Sequence, residues 1–264
     1  MVSMVSRSKV LKFLSASALA VLLAGCGAPL SAHWQGFPPD GPERAAGKGA
    51  PQADASAAPG PDCSQVKCVA LTFDDGPGPY TASLLDILDE HEAKATFFLI
   101  GKDIAKLPEV VREEAARGHE IGNHTWSHQD LAKISVAAAQ RELRKTDAAI
   151  KEVTGASPTV IRPPYGTIRE DLKKSLDLPV AMWSVDTFDW KTRDAKKTIK
   201  SAEKVVPGSI VLMHDIHPST VKAMPTMLAD LKARGFHFVT VSQLVGDPKP
   251  GTGYETGQQA AAGK

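Results

Sequence analysis

Asp74 and Asp75 stand side by side in "TFDDG", His124 and His128 lie four apart in "NHTWSH", and His214 ends the apolar run "SIVLMHD". Adjacent carboxylates at a strand end point in different directions. One can hold a metal while its neighbour acts as a base toward a water that the metal activates. Two imidazoles at i and i+4 share a face where the chain turns helically. With one carboxylate, here Asp75, they make a catalytic zinc set with an open fourth position. His214 is a titrating group matched to neutral pH. Each motif also has a plain reading: Asp-Gly is a turn signal, an isolated H-x3-H is often a surface pair, and a histidine ending an apolar strand is often only packed. In "RPPYG" the rigid Pro163-Pro164 turn after Arg162 either ends a strand or fixes a backbone N–H that can face an oxyanion. Asp186 and Asp189 in "VDTFDW" read equally as polar loop residues, and Trp190 and Leu212 as core.

What unites these motifs is their place at the ends of successive predicted strands. Between Asp62 and Gly246 the chain alternates apolar runs with helical periodicity, the pattern of strand and helix in turn. "VALTF" (69–73) precedes a helix over 81–91, and "ATFFLIG" (95–101) precedes one opened by Pro108. "EIGNH" precedes a long amphipathic helix over about 136–153, and "TVIRPPYG" a short one over 169–176. "VAMWSVD" precedes a helix over 194–206, "SIVLMHD" one over 221–234, and "FHFVTV" comes last. Seven such repeats imply a parallel sheet with right-handed crossovers. An open sheet would serve a ligand from two or three loops at a strand-order switch. Motifs on strands one, three, four, five and six meet only if the sheet closes. A single-domain α/β fold is expected, a distorted (β/α)7 barrel similar to a TIM barrel. His217 and Trp126 fall on the rim without assigned chemistry, and His33, His91, His119 and His237 have no role.

The ends read differently. Arg7, Lys9 and Lys12 precede an apolar run from Phe13 to Ala24, too short to span a bilayer and typical of a secretory signal over residues 1–25. It ends in "LLAGC", which resembles the bacterial lipobox and implies lipidation of Cys26, hence anchoring to a membrane outside the cytoplasm. Residues 26–61, rich in Ala, Gly and Pro, read as a flexible linker, and 247–264 as a disordered tail. Of the three cysteines, Cys63 and Cys68 then remain as a disulfide pair; a Cys-x4-Cys zinc site would need two further ligands, and none is evident. The formal net charge of +1 falls to −2 when the three signal cations are removed. Neither nucleic acid nor an anionic surface is called for, and a monomer is expected.

Together the motifs, in order and over roughly 68–245, resemble the NodB-homology polysaccharide deacetylases, carbohydrate esterase family 4. The resemblance implies that Asp75, His124 and His128 bind a divalent metal, zinc or alternatively cobalt. It makes Asp74 the general base with Arg162 orienting it, and gives the oxyanion to the Tyr165 backbone N–H. His214 becomes the general acid tuned by Asp189, and Trp190 and Leu212 wall the acetyl pocket with Tyr165. The implied activity is hydrolysis of acetyl groups from N-acetylated glycans, peptidoglycan amino sugars first, cleaving a carbon–nitrogen bond other than a peptide. Chitooligosaccharide deacetylation or acetylxylan ester hydrolysis is the alternative. A glycan-binding lipoprotein without turnover is a third reading, and it would predict loss of Asp74 or His214.

Overall fold

The computed structural model describes residues 60–257. The signal segment, Cys26 and nearly all of the linker lie outside the described residues, as do residues 258–264. Strand β1 (Lys67–Gly76) leads to α1 (Thr81–Glu90), and β2 (Thr96–Leu99) to α2 (Gly101–Ile104) and α3 (Pro108–Ala116). β3 (Glu120–Asn123) is followed by α4 (Val136–Thr154), and β4 (Val160–Ile161) by α5 (Glu170–Lys173). One apolar run supplies β5 (Val180–Ala181) and β6 (Val185–Asp186), followed by α6 (Asp189–Thr192) and α7 (Ala195–Ser201). β7 (Ile210–His214) precedes α8 (Pro218–Ala233), and β8 (Phe236–Val239) precedes α9 (Val241–Val245) and β9 (Gly253–Tyr254).

All these strands pair in parallel, in the order β6-β7-β1-β2-β3-β4-β5-β9, with β8 on the first half of β1. β5 and β6 are neighbours in sequence yet β6 opens that order and β5 lies next to its other end, so residues 182–184 close the curled sheet into a distorted barrel. Met182 N–H donates to Tyr254 C=O (2.7 Å) on one side of the gap and Ser184 N–H to Ile210 C=O (3.0 Å) on the other. The expected seven strands are all present, but the fifth is split by this crossing.

The tail departs from expectation too. As far as residue 257 it is ordered: Gly253–Tyr254 pairs with β5, and Tyr254 is buried with its hydroxyl accepting from Lys249 N–H (2.9 Å). Its Gly-rich composition conceals one aromatic side chain that finds a place in the core. Cys63 and Cys68 form the expected disulfide. Among the described residues no helix is long and apolar enough to cross a membrane.

Period-two alternation decides what faces the site. On β1, Val69, Leu71 and Phe73 pack under the helices, while Cys68 and Ala70 belong to the barrel interior. Thr72 and Asp74 continue the inward set. On β7, Val211 and Met213 face the helices and Ile210 the interior, so Leu212 and His214 also point inward. Register pairs Thr72 with Leu212 and Asp74 with His214, which sets a carboxylate beside an imidazole at the open end of the barrel.

Candidate active site

A regular strand would send Asp74 and Asp75 to opposite faces. Here the β1–β2 register slips between Asp74 and Gly76, and Asp75 takes the left-handed conformation (φ 71°). Such a bulge re-aims a side chain, and both carboxylates line one cavity of ≈ 380 Å³. His124, His128, Tyr165, Trp190, Leu212 and His214 line it as well. Of the seven described non-glycine residues with positive φ, six lie in or beside this site: Asp75, Thr125, His128, Tyr165, Phe188 and Arg193. Backbone strain of this kind, about 1–3 kcal/mol per residue, persists only where surrounding structure enforces it.

Arg162 is the largest fully buried side chain among the described residues. Its guanidinium donates to Asp74 Oδ1 (2.8 Å), Thr72 Oγ1 (2.6 Å), Ala181 C=O (3.1 Å) and Met182 C=O (2.8 Å), and it lies 4.1 Å from the Phe98 ring centroid. Burial lowers its pKa, and the Asp74 charge resists that shift. A buried cation is tolerable only with this degree of satisfaction. The result is a carboxylate with one oxygen fixed and the other, Oδ2, 3.8 Å from His124 Nε2.

His124 is oriented from behind, since its Nδ1 lies 2.7 Å from the Arg162 carbonyl. A proton on Nδ1 spent there leaves the Nε2 lone pair toward Asp75 Oδ1, 3.5 Å away. His128 Nε2 approaches the same oxygen at 3.2 Å. That oxygen is buried and has no hydrogen-bond donor among the described residues. The three side chains offer ligand atoms within 4.8 Å of one another. A buried, unsatisfied carboxylate oxygen between two imidazoles suits a divalent cation. Burial alone would raise the Asp75 pKa, but the close approach and charge of His124, with the charges of His214 and His128, hold it down at about 2. Burial works against a proton on His124, yet Asp74 and Asp75 raise its pKa overall. A proton and a cation therefore compete for one place.

The loop carrying both histidines is clamped by α4, which the sequence reading did not foresee. Asn123 Nδ2 donates to Asp147 Oδ1 (2.6 Å), and Asn123 Oδ1 accepts from Thr125 N–H (2.7 Å). Glu142 Oε2 accepts from both Ser127 N–H (2.7 Å) and Ser127 Oγ (2.9 Å). Thr125 Oγ1 in turn accepts from His128 N–H (3.1 Å). Removing an outer partner of a metal ligand costs roughly 10–100-fold in metal affinity. Glu142→Ala is expected to weaken zinc binding about tenfold in a competition titration, with Glu142→Gln recovering most of it. Equal affinity in all three proteins would show that the clamp does not set the ligand geometry.

On the opposite wall Asp189 is fully buried and heavily bonded. It accepts from His214 Nδ1 (2.9 Å), His214 N–H (2.7 Å), Trp190 N–H (2.8 Å) and Thr220 Oγ1 (2.7 Å). Burial pushes the His214 pKa down, but the Asp189 hydrogen bond and charge, with Asp74 and Asp75, outweigh it and raise the pKa to about 9. In metal-free protein this favours a proton on His214 at neutral pH. Tyr165 follows the Pro-Pro turn in a left-handed conformation (φ 60°), its ring edge-on to His128 at 4.8 Å between centroids. The next residue also takes positive φ, and a Cβ there would meet Trp183 at 2.7 Å, so only glycine fits at 166.

All the catalytic, substrate and metal residues anticipated from sequence line this cavity or hold its lining. Asp186 lines it and accepts from Phe188 N–H (2.7 Å). Trp183 was missed as a wall, and Thr72 and Thr220 as supports. His217 is buried beside His214, its Nδ1 against the Arg193 guanidinium. Cys26 lies outside the described residues.

The polysaccharide deacetylase family profile matches residues 62–181. The chain is 42% identical over 192 residues to peptidoglycan-N-acetylglucosamine deacetylase PgdA of Listeria monocytogenes serotype 1/2a (strain 10403S), a match covering 71% of this chain and 41% of that protein. It therefore spans about two fifths of the length of this relative. Chitooligosaccharide deacetylase of Bradyrhizobium sp. (strain ANU 289) is 36% identical over 203 residues, covering 69% of this chain and 93% of that one. The solved structure of "T48 deacetylase with substrate" superposes with a TM-score of 0.72 at 45% identity, covering 74% of this chain and 99% of that one. With the five motifs converging in one cavity and relatives matched over nearly their whole length, the chain belongs to the polysaccharide deacetylase family, carbohydrate esterase family 4.

Proposed function

We propose that this chain is a metal-dependent hydrolase that removes acetyl groups from N-acetylated glycans, above all peptidoglycan amino sugars, and releases acetate. The observation that carries the reading is the meeting, in one ≈ 380 Å³ cavity, of a three-ligand cluster, a buried carboxylate–guanidinium pair and a buried carboxylate–imidazole pair. Asp75, His124 and His128 would hold the cation, and two imidazoles with one carboxylate suit zinc, with cobalt a second candidate. When bound, it would supply Lewis acidity to the acetyl carbonyl and acidify water at the site.

The remaining work falls to side chains. Asp74, fixed by Arg162, takes the proton of the attacking water. The Tyr165 backbone N–H donates to the developing oxyanion. His214, kept protonated by Asp189, gives its proton to the departing amine, which is a poor leaving group without it. Leu212 and Trp190 wall the place of the acetyl methyl. An ester leaves more easily than an amine, so the same apparatus would also hydrolyse O-acetyl groups.

Two further observations bear on place and substrate. The Cys63–Cys68 disulfide fits an oxidising compartment outside the cytoplasm. With Cys26 in "LLAGC", it supports an extracytoplasmic enzyme tethered by lipid beside the cell wall. The near-complete coverage of the chitooligosaccharide deacetylase favours a second reading, the same reaction on free chitooligosaccharides.

The test is acetate release by the purified protein from peptidoglycan, chitooligosaccharides and acetylxylan, each with and without a chelator. Chelator-sensitive release that is fastest from peptidoglycan is expected. Release confined to the other two would discard the substrate and keep the chemistry, and none from any of them after zinc is restored would remove the reading.

A further inference from the structure

A second groove of ≈ 550 Å³ opens beside the cavity and shares Asp75 and His128 with it. It runs between the loops after β1, β2 and β7, with Pro77, Ile100, Leu107 and Ile216 on its walls. One side is packed tightly: a Cβ on Gly78 would stand 2.7 Å from Ile216 Cγ2. At its lip the Lys106–Asp103 ion pair (2.5 Å) supplies one donor group and one acceptor group.

The two hollows differ in chemistry. The cavity has Tyr165, Trp183 and Trp190, flat faces against which a sugar ring can lie. The groove has mainly aliphatic walls, and the one aromatic ring among its lining residues is that of the shared His128. A bare sugar filling the groove would bring most of its hydroxyls against aliphatic walls that cannot bond them, which is unfavourable. A chain of methyl-bearing acyl and amide groups suits it better: methyls meet the aliphatic walls, and amides meet the charged lip. Because the groove and the cavity share Asp75 and His128, a substituent of the substrate can run from one into the other.

We infer that this groove is a subsite for the acyl-peptide arm of the sugar next to the one deacetylated. The enzyme then selects glycan carrying short lactyl-peptide branches over unbranched polymer. This rests on the deacetylase reading above and narrows its substrate class.

The test compares glycan strands bearing their peptide stems with the same strands stripped by an amidase, using the full chain with zinc. The stemmed strands are expected to have at least tenfold higher kcat/KM, and Leu107→Glu is expected to bring that ratio close to one. Equal values for the wild type, or an unchanged ratio in a folded Leu107→Glu protein, would overturn the inference. A binding measurement separates this failure from failure of the deacetylase reading. Methyl NMR of the protein titrated with muramyl dipeptide is expected to give saturable shifts at Leu107 and Ile216, with N-acetylglucosamine alone giving none there. Absence of shifts at those methyls overturns the subsite whatever the enzyme hydrolyses, whereas shifts without acetate release from any glycan would keep the subsite and remove the deacetylase reading.

Discussion

Asp74→Asn is expected to lower kcat/KM by about 10²–10⁴-fold, the range for loss of a positioned general base, while zinc affinity changes much less. The separation follows from the bulge at Asp75. It gives the neighbouring carboxylates different partners, Asp74 being held by Arg162 and Asp75 lying between His124 and His128. An asparagine at 74 can still accept the Arg162 hydrogen bond through its amide oxygen, but it has neither the charge that offsets the buried guanidinium nor the basicity to take a proton. Breaking a buried ion pair by removing one charge costs roughly 3–5 kcal/mol. A lower Tm is therefore expected alongside the loss of rate. Activity must be measured well below that Tm, with zinc binding by competition on the same preparation. A variant that loses zinc and activity in parallel would place Asp74 among the ligands and contradict the division of labour drawn here. Near-normal kcat would remove it from the chemistry altogether.

The division was legible in sequence only as a family pattern, because nothing in "TFDDG" says which carboxylate faces which partner. That depends on the slip between Asp74 and Gly76, a single-residue event in the pairing of β1 with β2. The βα alternation was legible because most strands here are buried on both faces and give continuous apolar runs. The run "VAMWSVD" looked like one strand for the same reason: composition does not record that Val180 pairs toward β4 while Val185 pairs toward β7. Short elements were lost as well. α9 goes unassigned in the sequence, with only its first residue, Val241, falling in the run "FHFVTV", although Thr240 and Gln243 form a capping box that the spacing T-x-x-Q announces. α8 begins at Pro218, earlier than the apolar periodicity suggested, because proline is favoured in the first helical turn. The supports of the site were the least visible part. Thr72, Thr220, Asn123 and Glu142 are common residues whose roles arise from contacts between elements distant in sequence.

Asp189→Asn is the second large effect. The proton on His214 is held by a carboxylate that accepts four hydrogen bonds, and an amide offers one acceptor oxygen where the carboxylate offers two. The variant loses the charge opposing burial, so the His214 pKa falls from about 9 toward or below the ordinary histidine value. The fraction of enzyme with a proton to give at pH 8 falls with it. The basic limb of the kcat profile on an N-acetyl substrate is expected to move to lower pH, with kcat near neutrality down about 10²–10⁴-fold. An O-acetyl substrate, whose leaving group needs less protonation, is expected to suffer less. Stability carries the same signature in metal-free protein. A histidine whose folded pKa lies above its unfolded value adds stability that is fully present below about pH 6.5. That stability is lost as pH rises through about 9. Unfolding of the wild type followed across that window should show a decline from this source, flattened in Asp189→Asn. The decline is read in metal-free protein because a nearby divalent cation repels the imidazolium and shortens the window. An unshifted basic limb together with unchanged discrimination between amide and ester would assign Asp189 to folding alone and leave His214 without its tuner.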